Sequence, residues 1–339
     1  MRTRALALRI IRQFIRDKRT LALIFLAPLL ILTLLNFVFN GQAIKPDIGT
    51  IGVPQQLAER LVKADANVTA FASFDEAEQA LRNGKLDAVV SMESGKPSIK
   101  LEGSDPTISK AAILLLQKTL QAEISAIQPN IAYLHGKEEM SSFDSFGPVL
   151  IGFFSFFFVF MLAGVAFLRE RTTGTLERLL ATPIRRTEIV GGYLSGFGLF
   201  TLLQAALIAW YAIHVLGLYM TGSIWLVLLV NLLLTLTALT LGTLLSSFAG
   251  SEFQIIQFIP VVVVPQVFFS GLFNLEAMDP WLQKLSYLMP LFYGGDALRG
   301  IMIRGEGLSD IQLDIYVLLG FSAAFALLNV LALKKQRAI

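Results

Sequence analysis

The sequence has 339 residues, 55% hydrophobic and 16% charged, against roughly 45–50% and 25% in a soluble domain. A net charge of +3 gives no prior for nucleic-acid binding, and the lack of cysteine excludes disulfides and thiolate metal sites. The apolar residues are gathered into long uncharged runs instead of being spread as a soluble core spreads them, which is the mark of a membrane protein.

The chain opens with MRTRALALRIIRQFIRDKRT. Arg9, Arg12, Arg16 and Arg19 fall on one helical stripe, Leu8, Ile11 and Ile15 on a neighbouring apolar face, with Phe14 beside it. This predicts an amphipathic helix over 1–19, apolar side in the acyl boundary and arginines toward anionic headgroups. A spanning helix needs about 20 apolar residues at 1.5 Å each to cross about 30 Å of hydrocarbon. Six stretches meet this, at about 21–39, 148–168, 190–217, 223–248, 253–275 and 314–333, and none carries a charge in its interior. The first, within 20–40, has an apolar part longer than the roughly 7–15 residues of a signal peptide and is read as a retained helix.

Residues 41–146 differ in kind. DIGTIGV (47–53) and LDAVVSM (86–92) read as buried strands, and SIKLEGS as a further one. PQQLAERLVKA and SFDEAEQALRNG read as helices, the second with Ser73 three residues before Glu76 as a capping box and Gly84 at its end. A longer helix is predicted after Asp105 and Pro106. Strand–helix alternation predicts a small α/β domain. It contains no metal cluster, nucleophile pair or phosphate loop, and His135 reads as a solvated loop residue.

Between the second and third spans lies RERTTGTLERLLATPIRRTEIVGG (169–192), with five arginines and three glutamates in 169–188. Leu176, Leu179 and Leu180 share a face, and Glu170, Arg171, Glu177 and Arg178 stay polar. Thr175 or Thr173 is suited to cap a short helix that Pro183 stops, and Gly174 allows a sharp change of direction. A helix this short is marginal alone, so its leucines are expected against lipid or another protein. Farther on, Gln204, Asn231, Thr235, Thr237, Gln254, Gln257 and Gln266 read first as interhelical hydrogen-bonding groups. Pro260 and Pro265 predict a kink in the fifth span, which Gly271 ends. Residues 276–304 interleave Trp281, Tyr287 and Tyr293 with leucines and methionines, as an interfacial or re-entrant segment would. His214, beside Trp210 and Tyr211, reads as an interfacial belt residue.

Basic residues set the orientation. Seven lie in 1–19, five in 169–188 and three in the tail 334–339. Placing these in the cytoplasm puts both termini inside and leaves 41–146 and 276–313 external.

The run RERTTGTLERLLATPIRRTEIVGGY resembles the signature of the ABC-2 type permeases, the membrane subunits of ATP-binding-cassette exporters. In that family an R-E-x-G-T-x-E-x-L-x-x-T-P-type segment between the second and third spans docks on the ATPase. Here two threonines precede Gly174, a departure at the bend. The resemblance extends to the whole layout: a basic N-terminal helix, one span, an external domain, then five spans with an external hairpin before the last. It implies a polytopic α-helical membrane protein with six transmembrane helices and a small external α/β domain between helices 1 and 2. It implies a multi-pass protein of a bacterial or archaeal plasma membrane, and a coupling surface made by Glu170, Arg171, Gly174, Thr175, Glu177, Arg178 and Pro183. It also implies a separate ABC ATPase that carries ATP and Mg, a second permease that is the same or a different chain, and lipid neighbours. Spans two and five would line a path for an amphiphilic substrate (a drug, a lipid or a peptide-like molecule), with Gln257 and Gln266 as its polar candidates.

No G-x-x-x-x-G-K-[ST] occurs, so the chain is not read as binding a nucleotide or as an enzyme, and it has no catalytic, cofactor or metal residues to name. The lack of intramembrane carboxylates weighs against a proton-coupled secondary transporter. A receptor or assembly factor sensing through the external domain is the alternative from another class. A co-purifying ATPase separates the readings.

Overall fold

A computed structural model describes residues 2–39, 45–93, 96–102, 111–119, 140–273, 275 and 278–335. The expectations for Asp105, Pro106 and His135, and for residues 336–339 of the tail, lie outside the described residues. The chain divides into two compact units, Gln42–Ala132 and the remainder.

In the smaller unit, β1 (Asp47–Ile51), α3 (Gln55–Lys63), β2 (Asn67–Ala70), α4 (Phe74–Arg82), β3 (Ala88–Glu93), β4 (Lys96–Leu101) and α5 (111–119) follow one another. The sheet order is β2-β1-β3-β4, with β1 parallel to β2 and β3, and β3 antiparallel to β4. Alternation along the strands feeds two cores. Ile48, Ala88 and Val90 pack with Leu61, Ala112 and Leu116, while Val89 packs with Ala77, Leu81 and Leu86. Helices therefore cover both faces, as parallel strands require. The capping expectation holds: the Ser73 hydroxyl accepts from the Glu76 N–H at 3.3 Å.

The larger unit holds α1 (Arg2–Arg16), α2 (Lys18–Phe39), α6 (Ser142–Thr172), α7 (Thr175–Leu180), α8 (Arg186–His214), α9 (Ile224–Ser246) and α10 (Glu252–Phe258). After them come α11 (Val264–Phe268), α12 (Pro280–Ser286), α13 (Pro290–Arg299) and α14 (Gln312–Lys335). Five of these, α2, α6, α8, α9 and α14, are long and apolar enough to cross a membrane. The helical stretch within 253–275 is shorter than the apolar run suggests. It covers Glu252–Phe268 and is interrupted by a π-helical turn at Ile259–Val263 that contains Pro260. Proline has no N–H to offer the ladder, and a wider turn absorbs the gap. At 1.5 Å per residue this piece reaches about 25 Å, short of about 30 Å of hydrocarbon.

α6 and α9 form the centre of the bundle, with α8, α13 and α14 against them. Leu291, Ala297, Leu298, Ile301 and Met302 of α13 and its continuation are buried. α2 and α14 present Leu23, Leu26, Leu30, Leu34, Tyr316, Leu327 and Leu331 outward, the arrangement of helices whose outer faces a bilayer would cover.

α1 buries a second apolar face in the bundle, beside the one expected toward lipid. Leu6, Ala7, Ile10 and Phe14 are buried, whereas Leu8 and Ile15 are exposed. The face docks on α8, with Phe14 against the rings of Phe197 and Phe200 at 5.7 and 4.8 Å. Gly192 and Gly196 make the close approach possible. A Cβ at Gly196 would lie 2.9 Å from the Ile10 Cβ, and one at Gly192 would lie 2.6 Å from a Leu6 methyl. This second stripe is thus covered by protein, and Leu8 and Ile15 are left exposed.

Candidate functional site

The charged block is built by the ends of α6 and α8 with α7 between them. Arg169 and Arg171 in the last turn of α6 suit the negative end of its dipole, and the Thr173 hydroxyl closes the turn by donating to the Arg169 carbonyl at 2.7 Å. Gly174 then takes φ 69°, a left-handed conformation that favours glycine, and the chain changes direction. Neither threonine caps α7. Gly174 occupies the N-cap with no side-chain bond, Thr173 belongs to the end of α6, and Thr175 starts α7. The leucine face is real but rests on the chain itself: Leu176 is buried, and Leu179 and Leu180 pack on the main apolar cluster. That support is what a six-residue helix needs. Pro183 follows the helix, exposed, and its carbonyl accepts from Arg2.

The seven predicted coupling residues separate into two sets. On the inner side, Glu170 is 5% exposed and its Oε2 lies 2.5 Å from the Arg9 guanidinium. The same oxygen accepts from the Tyr193 hydroxyl at 3.1 Å. Tyr193 is 1% exposed and stands edge-on to Phe167 at 5.1 Å. One carboxylate thus joins α1, α6 and α8 in surroundings where water screens little. Arg171 donates to the carbonyls of Ser246 and, at 3.1 Å, Ala249, which caps the C-terminus of α9. Arg169, at 2.7 Å from Glu252, ties the same turn to α10. On the outer side, Glu177, Arg178 and Pro183 are exposed and Thr175 is half-buried. Arg178 makes long contacts only, 3.4 Å to the Thr173 carbonyl and 3.5 Å to the Thr175 hydroxyl. Glu170 and Arg171 therefore hold the platform, Gly174 sets its angle, and Glu177, Arg178 and Pro183 face outward.

Between α1 and α2, Asp17 accepts from the Thr20 hydroxyl at 2.6 Å and from its N–H at 3.2 Å. These bonds from Thr20, the hydroxyl first, hold its carboxyl below the usual range. The two glutamines named as path candidates are not brought together. Gln257 is exposed on α10, whereas Gln266 is buried and accepts from the Leu291 N–H at 3.0 Å, holding the start of α13. Asn231 donates to the Ala205 carbonyl at 3.0 Å, and the Thr237 and Ser322 hydroxyls lie 2.8 Å apart, the interhelical role expected of them. His214 stacks on Trp210 at 5.9 Å at the end of α8.

Arg9, Tyr193 and the glycine pair were not legible as site residues when each segment was read alone. One signal was available: Gly192 and Gly196 form a G-x-x-x-G in the third span, the spacing that admits a close-packed neighbour.

The sequence model of a family described as ABC-2 family transporter protein matches residues 18–331. The chain is 27% identical over 216 residues to ABC transporter G family member 20 of Dictyostelium discoideum, covering 63% of this chain and 29% of that protein. It is 25% identical over 179 residues to the probable multidrug ABC transporter permease YbhS of Escherichia coli, covering 52% and 47%. To the inner membrane transport permease YhhJ of the same species it is 28% identical over 177 residues, again covering 52% and 47%. The matched region thus spans less than half the length of each of these relatives.

Proposed function

Given that this chain belongs to the ABC-2 family of transporter proteins, we propose that it is one membrane-spanning half of an exporter, driven by a separate ABC ATPase that holds ATP and Mg. A second permease, identical or different, completes the path. Two of the relatives carry names that describe a permease, one of them a multidrug permease, which favours an amphiphilic substrate moved outward. In this reading Glu252–Phe268 and the residues after it make a broken fifth span, giving six in all. Residues 41–146 lie outside, and both termini and 169–188 lie in the cytoplasm of a cell whose plasma membrane holds the protein. Gln257, exposed on α10, is the polar residue placed to meet a path or a second permease.

The observation that carries this reading is the two-sidedness of the block. A short helix has its leucines seated in the bundle, while Glu177 and Arg178 point away with no ion-pair partner among the described residues. Its base is held to α1, α8, α9 and α10 by Glu170, Arg171 and Arg169. A push on the outer face of such a helix is delivered to the spans instead of being lost in a loose loop.

Charge reversal tests it. Glu177→Lys and Arg178→Glu lie on an exposed face, where folding changes by no more than about 0.5 kcal/mol. Against a docked ATPase, each reversal costs about 2–5 kcal/mol of association for a buried, hydrogen-bonded pair. That is a loss of roughly thirty- to several-thousand-fold in affinity. Transport and ATPase pull-down should fall while expression and thermal stability hold. Normal ATPase capture by both variants would remove α7 as the docking element.

A further inference from the structure

A cavity of about 490 Å³ lies where α8 begins and α14 ends, lined by Leu180, Ile184, Arg185, Arg186, Thr187, Val330 and Lys334. Four other arginines of this region have clear acceptors: Arg9 has Glu170, Arg169 has Glu252, Arg171 has two carbonyls and Arg2 has Pro183. Arg185 and Arg186 do not. The carboxylate nearest in sequence, Glu188, is engaged with the Arg185 N–H at 2.8 Å. The Arg186 Nε is enclosed and has no hydrogen-bond partner among the described residues, which in a native protein calls for an explanation such as an unseen partner. No acidic side chain lines the cavity.

We propose that this cavity binds the phosphate of an anionic phospholipid, with the glycerol end of the lipid against its apolar wall. The position and the lining select this ligand. α8 and α14 are both long enough to cross a membrane, and the cavity lies where each leaves its apolar stretch, the depth at which headgroups lie. Two guanidiniums and an ammonium without a counter-ion suit a phosphate, and guanidinium adds paired N–H donors that match phosphate oxygens. Basic pockets between spans take anionic headgroups for this reason. A free phosphate would use the cations alone, whereas Leu180, Ile184 and Val330 make one side apolar, as a lipid's esterified end prefers. Leu180 closes α7, so a lipid here would bridge the coupling segment to the last span.

The experiment uses the full-length chain, purified in mixed micelles of phosphatidylglycerol or phosphatidylcholine, with retained lipid counted by native mass spectrometry. The wild-type chain should retain phosphatidylglycerol in preference to phosphatidylcholine. Replacing both Arg185→Gln and Arg186→Gln should weaken phosphatidylglycerol retention roughly thirtyfold, equivalent to about 2 kcal/mol at about 1 per basic residue. Phosphatidylcholine retention should not change, Arg186→Lys should restore part of the loss, and Lys63→Gln, in the smaller unit, should leave phosphatidylglycerol retention unchanged. A thermal melt in phosphatidylcholine shows that the double variant is folded. Equal retention of the two lipids by the wild-type chain overturns the site whatever the variants do. Stabilisation by inorganic phosphate equal to that by phosphatidylglycerol overturns the assignment to lipid in favour of a free-anion site. Loss of ATPase capture with phosphatidylglycerol retention intact assigns the cavity to the protein partner and overturns it also.

Discussion

Glu170 offers the sharpest test of how the block is held, because the family resemblance implies a place on the ATPase and the structure places it inside. Glu170→Ala removes the acceptor of the Tyr193 hydroxyl, a group on a side chain 1% exposed. Stranding such a donor costs about 1–3 kcal/mol. It also removes the counter-ion of Arg9. The Arg9 side chain is 36% exposed, so it can turn toward water, and the 3–5 kcal/mol of a fully buried broken pair does not apply. About 1 kcal/mol is the discounted figure. Together the pair and the hydroxyl amount to about 2–4 kcal/mol, of which the Arg9 part, about 1 kcal/mol, lies in the contact of α1, since the Tyr193 bond joins α8 to α6. Glu170→Gln keeps an acceptor for Tyr193 and should show about half.

The readout is local opening of α1. Ile10 is 2% exposed beneath that helix, and a single Ile10→Cys in this cysteine-free chain is labelled only when α1 lifts. At 1.4 kcal/mol per tenfold, losing the Arg9 pair in Glu170→Ala should speed thiol labelling roughly fivefold. Glu177→Lys should leave it alone. Labelling unchanged within about twofold would mean that the carboxylate does not hold α1, and with normal labelling a loss of ATPase binding would return Glu170 to the docking surface.

Further tests follow from packing and from the smaller unit. Gly196→Val would set a side chain into Ile10, 2.9 Å from the Cβ position. It should lower stability by about 1–3 kcal/mol through overpacking, whereas Gly198→Ala, with nothing within 4 Å, should be neutral or stabilising; equal melting temperatures for the two variants would deny the close contact of α1 with α8. Residues 45–142 alone should give a soluble α/β monomer with a cooperative melt, and Ser73→Ala in it should cost about 1 kcal/mol for the lost cap; a non-cooperative melt would show that the unit depends on the membrane helices.

Much of the architecture was legible because hydrophobic runs carry their own meaning. An uncharged stretch such as 148–168 has few alternatives to a buried or spanning helix, and α6 covers it whole. The strands of the smaller unit were marked by Val and Ile between turn residues; β1 lies within its mark, and β3 runs one residue past its own. In the fifth apolar run the break was legible from Pro260 and Pro265, but hydropathy did not show how short the helical piece would be. The buried face of α1 was not legible either. Leu8, Ile11 and Ile15 are apolar at helical spacing, but so are Leu6, Ile10 and Phe14, and only the glycine-lined α8 decides which set is covered.

Within the block, the residue types were legible and their directions were not. Glu170 and Glu177 are seven positions apart, which on one continuous helix places them nearly on the same face. A reading that runs the helix through 169–182 therefore assigns both to one surface. Gly174 breaks that helix at φ 69°, and the two carboxylates part: one enters the bundle to meet Arg9 and Tyr193, the other stays in water. A single left-handed residue thus divides one run of charge into an anchor and an exposed face. The division has a mechanical sense. A helix that must receive force needs its outer charges free and its inner charges fixed, and charges fixed to α1 and α8 cannot also be offered to a partner.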